Sequence, residues 1–276
     1  MSAPQDVGVR EASEELGLHY MTVYRLIRTG RLAASVEGGE WRIARSALER
    51  ERRRRARPAA PASRGRAVVP RRDALVDRLL AGDEPGAWQL LESAMASGTD
   101  ARSLYLDLLT PAMAEIGDRW ARADVDVADE HRATAVTLRL LGRLGPRFRP
   151  RGRRRGTVVL GAVAGDPHAI PSAVVADLLR GARFDADDLG ANVPPPSFVA
   201  AAQAADRLRG VAIVATVQSA ADGVAATIAA LREAGVDAPM VVGGAGVTAA
   251  VARAAGADLF TGTAADVVAA FEVSTH

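Results

Sequence analysis

The sequence predicts a multidomain chain: a winged helix-turn-helix, a four-helix bundle, and a doubly wound α/β domain with a five-stranded parallel sheet. Three observations carry this. Residues 8–50 hold two short helical patterns followed by a Gly-Gly hairpin. Residues 73–148 hold four helical patterns without strand signals. From residue 157 onward, short apolar runs alternate with helical patterns five times, the mark of a parallel sheet. The expected boundaries are 1–55, a linker at 56–72, 73–148 and 156–276.

In the first segment Val9, Ala12 and Leu16 share one helix face, which Gly17 ends, and Val23, Leu26 and Ile27 line a second helix ending at Gly30. Tyr20, Met21, Thr22, Tyr24, Arg25 and Arg28 then flank or face away from that buried side. Polar and arginine side chains on an exposed second helix are what reading the DNA major groove requires. Leu32–Val36, the turn Glu37-Gly38-Gly39-Glu40 and Trp41-Arg42-Ile43 form a hairpin, because paired glycines accept positive φ. Ser46 is expected to cap the next helix. The stretch from Ala12 to Glu49, with its T-V-Y-R-L-I-x-x-G-x-L core and G-G-x-W-R wing, resembles the winged helix-turn-helix of excisionase and MerR-like families. That resemblance puts Tyr20, Thr22, Tyr24, Arg25 and Arg28 toward the groove of duplex DNA and Arg42 on a phosphate. The bland alternative is a small helical domain with a solvated arginine face.

Charge supports the same division. Residues 1–72 hold 16 arginines and 8 acids, whereas residues 73–276 hold 19 arginines and 25 acids. A basic end on an acidic body fits a polyanionic partner for that end. Arg50 to Arg72, rich in Pro, Ala and Arg, reads as a flexible tether. The chain has no cysteine, so disulfides and thiolate metal sites are excluded. No apolar run approaches the ~20 residues of a membrane span, and no signal-peptide core is visible, so a cytoplasmic protein is expected. The absence of lysine follows from base composition and carries no mechanism.

The bundle is read from Leu75, Val76, Leu79 and Leu80; from Trp88, Leu90, Leu91 and Met95; from Leu104, Leu108, Leu109, Met113 and Ile116 toward Trp120; and from Val127 to Leu144, capped by Asp126. Most of these positions are core. Trp120 and the adjacent Glu130-His131 stand apart, although such a pair is also an ordinary surface feature.

In the α/β part, strands are expected at Thr157–Val163, Phe184–Leu189, Val211–Thr216, Met240–Val242 and Asp258–Phe260. The loop Gly165-Asp166-Pro167-His168-Ala169-Ile170-Pro171 follows the first strand, at the carboxyl edge where open sheets bind ligands. Asp166 there is placed to orient His168, as carboxylates do for metal-bound imidazoles; a histidine without a ligand is the plain alternative. Neither G-x-G-x-x-G nor G-x-x-x-x-G-K is present at this loop, which argues against nucleotide phosphate binding. Gly243-Gly244 either lets a ligand approach the backbone or makes an ordinary tight turn.

Together these segments resemble the cobalamin-dependent photoreceptor repressors of the CarH type, in the same domain order over nearly the whole chain. The family's D-x-H-x-x-G motif maps onto Asp166 and His168, the histidine being the lower axial cobalt ligand. Its D-L-G-x-x-V-P-P-x-x-F-V run appears as residues 188–199, and its G-G near the cofactor's nucleotide tail as Gly243 and Gly244. Its W-x9-E-H is matched by Trp120, Glu130 and His131, over the upper face where an adenosyl group sits. Three positions depart: Pro171 for the motif glycine, Val214 for a serine, and Ala121 for the histidine that ligates cobalt after photolysis.

The resemblance implies a non-enzymatic DNA-binding regulator, a repressor, that binds adenosylcobalamin and thereby sets its self-association as dimer or tetramer on a double-stranded operator. A second reading keeps the DNA-binding regulator but gives the sensor another ligand, a tetrapyrrole or small apolar metabolite, or none. A third is a corrinoid carrier for methyl transfer, which shares the bundle and α/β domain; the amino-terminal module weighs against it.

Overall fold

Five parallel strands form the sheet that positions the site: β4 (Thr157–Ala162), β5 (Asp185–Asp188), β6 (Leu208–Val214), β7 (Met240–Gly243) and β8 (Leu259–Thr261), in spatial order β5-β4-β6-β7-β8. This is the flavodoxin-like order, whose direction reverses between β4 and β6 and opens a crevice at their carboxyl ends. The computed structural model describes residues 6–16, 23, 26–27, 32–37, 40–56 and 69–273.

Alternation along the strands splits the apolar side chains between two faces. Val158 and Leu160 of β4 point to one side, with Ala212 and Val241, under α8 (Ile170–Gly181) and α12 (Ala264–Val273). Val159, Val211, Ile213, Met240 and Val242 point to the other. There they meet α9 (Pro195–Ala204), α10 (Ala221–Glu233) and α11 (Ala249–Ala254) through Phe198, Val224, Ile228 and Ala252. The strand bounds fall within a few residues of those expected.

The bundle comprises α3 (Val69–Leu80), α4 (Glu84–Ala96), α5 (Ala101–Ser103), α6 (Thr110–Arg122) and α7 (Val127–Leu144). Asp126 caps α7 through a reciprocal box: its carboxylate accepts the Asp129 N–H at 2.8 Å while the Asp129 side chain accepts the Asp126 N–H. Two expectations change. Helix α3 begins at Val69, inside the segment read as linker, with Pro70 in a first turn where its missing N–H is harmless. The third helix is not uniform either, because π-helical turns at Leu104–Leu109 join α5 to α6. Pro111 has no N–H for the Asp107 carbonyl and its ring would crowd that oxygen, which wider preceding turns relieve.

The wide turns carry Tyr105, which ties the bundle to the sheet domain. Its hydroxyl donates to Asp177 Oδ2 on α8 at 2.7 Å, and Asp177 Oδ1 accepts from Arg180 at 2.8 Å. Arg180 also donates to the Ala186 carbonyl on β5 at 3.0 Å. Tyr105 is fully buried beside Phe148, and burial, followed by the hydrogen bond to Asp177, pushes its phenol far above the ordinary value.

In the amino-terminal part, β1 (Val7–Gly8), β2 (Ala34–Glu37) and β3 (Glu40–Ile43) form an antiparallel sheet with β3 central, beside α1 (Val9–Leu16) and α2 (Arg45–Ala56). Val23, Leu26, Ile27, Leu32 and Ile43 are buried together, as the pattern predicts. Strand β1 was not anticipated; two residues give no periodicity to read. Ser46 does not cap α2, which starts one residue earlier. Arg45 instead reaches back to Glu11 at 2.9 Å and Glu15 at 2.7 Å, clamping α2 to α1.

Candidate functional site

The loop after β4 and the loop after β6 meet at the sheet's reversal point, and Asp166 lies between them, fully buried. A buried carboxylate must be saturated with donors. Asp166 Oδ1 faces His168 Nδ1 at 2.7 Å and accepts the His168 N–H at 3.1 Å. Its Oδ2 accepts the Thr216 N–H, and the Thr216 hydroxyl lies 2.9 Å from both oxygens and from His168 Nδ1. The imidazole is thus fixed through Nδ1, which leaves Nε2 as the ring nitrogen available to a ligand; the His168 side chain is 47% exposed.

Burial alone would raise the Asp166 carboxyl, but the hydrogen bonds from His168 and Thr216 outweigh it and hold it below the usual range. The Asp166 hydrogen bond raises His168 above 6.5, against partial burial, and the charge of Glu130 adds to the rise. In the protein without cofactor, the stabilisation from the raised His168 is complete below 6.5. It is lost as pH rises through the folded-state value. The Asp166 contribution runs the other way: present above the ordinary carboxylate value, it is lost as pH falls through the lowered one. Asp166→Asn is expected to shift the His168 ring titration downward, read by NMR of the imidazole. An unchanged titration would remove the carboxylate as its cause.

Residues 188–199 brace this loop from outside. Asn192, at φ +53°, donates its N–H to the Asp166 carbonyl at 2.8 Å, while its side-chain oxygen accepts the Gly165 N–H at 2.8 Å. Val193, Leu189 and Phe198 close over Gly161, where a Cβ would lie 3.1–3.3 Å from all three. Pro171 sits in the first turn of α8, so this departure from the motif leaves the helix intact.

Further along the carboxyl edge, Gly244 follows β7 at φ +120°, and a Cβ there would lie 2.1 Å from the Ala215 carbonyl oxygen. Gly246 is as tight, its Cβ position 2.4 Å from Val217 backbone atoms. A Cβ on Gly243 would lie 2.8 Å from Thr261 Oγ1, a buried hydroxyl with no hydrogen-bond partner among the described residues. An orphaned donor beside glycine-lined backbone is a place where a ligand group completes the hydrogen bonding. Val214 is buried at the end of β6.

Of the residues singled out on the bundle, Trp120 lies in the last turn of α6 and Glu130 in the first turns of α7. Glu130 accepts from Thr134 at 2.9 Å and is close enough to His168 to raise it electrostatically. His131 stays exposed, its Nε2 3.7 Å from Glu130 Oε2. Ala121 is buried. Thr216, Asn192 and Thr261 were missed from sequence. Thr216 closes the expected strand Val211–Thr216 but lies two residues beyond the observed β6. Of the groove residues, Arg42 lies on β3 opposite Ser35 and Gly8. Tyr20, Thr22, Tyr24, Arg25 and Arg28 lie outside the described residues.

Residues 71–144 and 156–272 each match a B12 binding domain family, and residues 7–56 match a helix-turn-helix domain family. The chain is 30% identical over 212 residues to trimethylamine corrinoid protein 1 of Methanosarcina acetivorans, covering 75% of this chain and 96% of that one. It is 28% identical over 206 residues to trimethylamine corrinoid protein 1 of Methanosarcina mazei, covering 73% and 93%. The fold is that of the Methanosarcina barkeri monomethylamine corrinoid protein, with a TM-score of 0.66 at 22% identity, covering 75% of this chain and all of that one. These matches assign a cobalamin or corrinoid cofactor to the bundle and sheet, and the glycine-lined backbone with its orphaned hydroxyl fits one. They overturn the expectation of a DNA-binding transcriptional regulator that senses adenosylcobalamin: the relatives spanning both parts are corrinoid proteins named for trimethylamine. A site for a cofactor does not specify the use made of it, so resemblance in cofactor motifs does not carry the output. No helix among the described residues is long and apolar enough to cross a membrane.

Proposed function

We propose that this chain, which belongs to the B12-binding corrinoid protein family, is a corrinoid carrier for methyl transfer. The alignment with trimethylamine corrinoid protein 1 of Methanosarcina acetivorans, over nearly that protein's full length, carries the reading. When bound, the corrinoid supplies a cobalt centre that accepts a methyl group and hands it on.

The chain's own residues bind and orient that group. His168 would hold the cobalt through Nε2, while Asp166 and Thr216 fix the ring by Nδ1. A carboxylate on the far nitrogen makes the imidazole a better donor and fixes which nitrogen carries the proton. Gly243, Gly244 and Thr261 would receive the group's nucleotide end, which would give the Thr261 hydroxyl the partner absent among the described residues. Trp120, Glu130 and His131 would meet the group from the bundle side. Ala121, buried beside Trp120, offers no ligating atom. The helix-turn-helix match supports duplex DNA as a partner of the amino-terminal domain, with Arg42 on its wing.

Full-length protein incubated with hydroxocobalamin is expected to stay coloured through gel filtration. Loaded with labelled methylcobalamin and mixed with host extract and a thiol, it should lose its label to the thiol faster than free methylcobalamin does. A colourless protein refutes the cofactor site. A coloured protein that keeps its label refutes methyl transfer.

A further inference from the structure

The amino-terminal edge of the sheet, at the far end of β4 from His168, gathers arginines from three chain segments. Because β4, β5 and β6 are parallel, the residues entering them emerge side by side. The Arg155 N–H donates to the Arg183 carbonyl at 2.9 Å and the Thr157 N–H to the Arg207 carbonyl at 3.1 Å. Gly156, at φ +121°, lets the segments close up: a Cβ there would lie 2.5 Å from the Arg207 oxygen and 2.6 Å from Arg209 Cγ.

The result is a groove. A cleft of about 600 Å³ is lined by Arg153, Arg154, Arg155, Arg207 and Arg209. A second, of about 430 Å³, is lined by Arg153, Arg155, Arg183 and Glu272. The two share Arg153 and Arg155, so basic side chains run across three strand ends. Residues 147–155 alone contain six arginines and no acid, in a body that is otherwise acidic. Three carboxylates sit nearby: Glu272 at 3.3 Å from Arg155, Asp185 at 3.6 Å from Arg154 and Asp206 at 3.7 Å from Arg207. Arg153, Arg183 and Arg209 have no carboxylate in salt-bridge range among the described residues. Arg183 and Arg207 also hold positive φ, at +69° and +49°, where glycine or asparagine is the easier choice. Arginine stands there despite its backbone preference.

We infer that this groove binds the phosphate backbone of duplex DNA, as a second contact on the DNA engaged by the amino-terminal domain. An open groove of repeated guanidinium groups suits a polymer of regularly spaced phosphates better than one small anion, and the arginine fork matches phosphate oxygens. The inference rests on DNA as a partner of the helix-turn-helix domain, not on methyl transfer.

The test is fluorescence anisotropy of the full chain on a 30-base-pair duplex across a salt series. Arg153→Gln, Arg183→Gln and Arg209→Gln combined should weaken binding about 10-fold or more, and flatten the log K against log salt slope by about 2–3. The matching lysine triple variant should keep most of that slope. Cobalamin absorption should not change, because the groove lies about 20 Å, one strand length, from His168. Parental binding with an unchanged slope in the glutamine variant overturns the groove alone. No binding by the parental chain overturns the groove and the DNA partner together. Competition by pyrophosphate or poly-glutamate as effective per charge as duplex DNA would assign a small anion or an acidic protein instead, and overturn it.

Discussion

His168→Ala is expected to abolish the imidazole-ligated visible spectrum of the cobalamin-loaded protein and to weaken cofactor retention by at least about 100-fold. Partners that only orient a ligating histidine are worth about 10–100-fold in metal affinity, and losing the ligand itself should cost no less. Asp166→Asn, which keeps His168 but weakens its hold, should fall in that smaller range. The variant leaves the buried Asp166 carboxylate to Thr216 and the residue-168 N–H, so the cofactor-free protein should also unfold at a lower denaturant concentration than the parent. Titrating each protein with hydroxocobalamin by absorbance and equilibrium dialysis reads both effects. An alanine variant with the parental spectrum and affinity would remove His168 from the cobalt.

Asp177→Ala is expected to produce the largest loss of stability, about 3 kcal/mol or more. It leaves Arg180 without its carboxylate and Tyr105 with a single weaker acceptor, the Leu141 carbonyl at 3.3 Å. Breaking one side of a buried ion pair costs about 3–5 kcal/mol; the partial exposure of Arg180 argues for the lower end. Asp177→Asn keeps an acceptor for Tyr105 and should lose less than half as much. Urea unfolding followed by circular dichroism measures this, and a loss below about 1 kcal/mol would show that the network stabilises little.

Much of the fold could be read from the chain, for identifiable reasons. The α7 start was legible because Asp126 and Asp129 form a local box that needs no distant partner. The parallel sheet was legible because four of its five strands are short apolar runs spaced by helices, β5 (Asp185–Asp188) being the exception. The π-helical turns before Pro111 were not, since they keep the apolar face of an ordinary helix while changing its pitch. In the site, Asp166 and His168 were visible as a loop motif. Thr216 was not, because its bond to Asp166 spans 50 residues and depends on which strands are neighbours. Function was the least legible. The motifs around His168 and Glu130 speak to a site, and one kind of site serves proteins with different outputs.

The distribution of apolar contacts has a consequence for how the molecule comes apart. Side chains of the bundle, from Leu75 to Leu144, belong to one continuous buried cluster with Val158, Leu160, Val175 and Phe271 of the sheet domain. The amino-terminal residues from Val7 to Leu48 form a cluster of their own. Bundle and sheet are therefore expected to unfold as one cooperative unit despite matching two families, and the amino-terminal domain as another. Cutting between the bundle and β4 would divide a shared core, while cutting ahead of α3 would leave both cores whole.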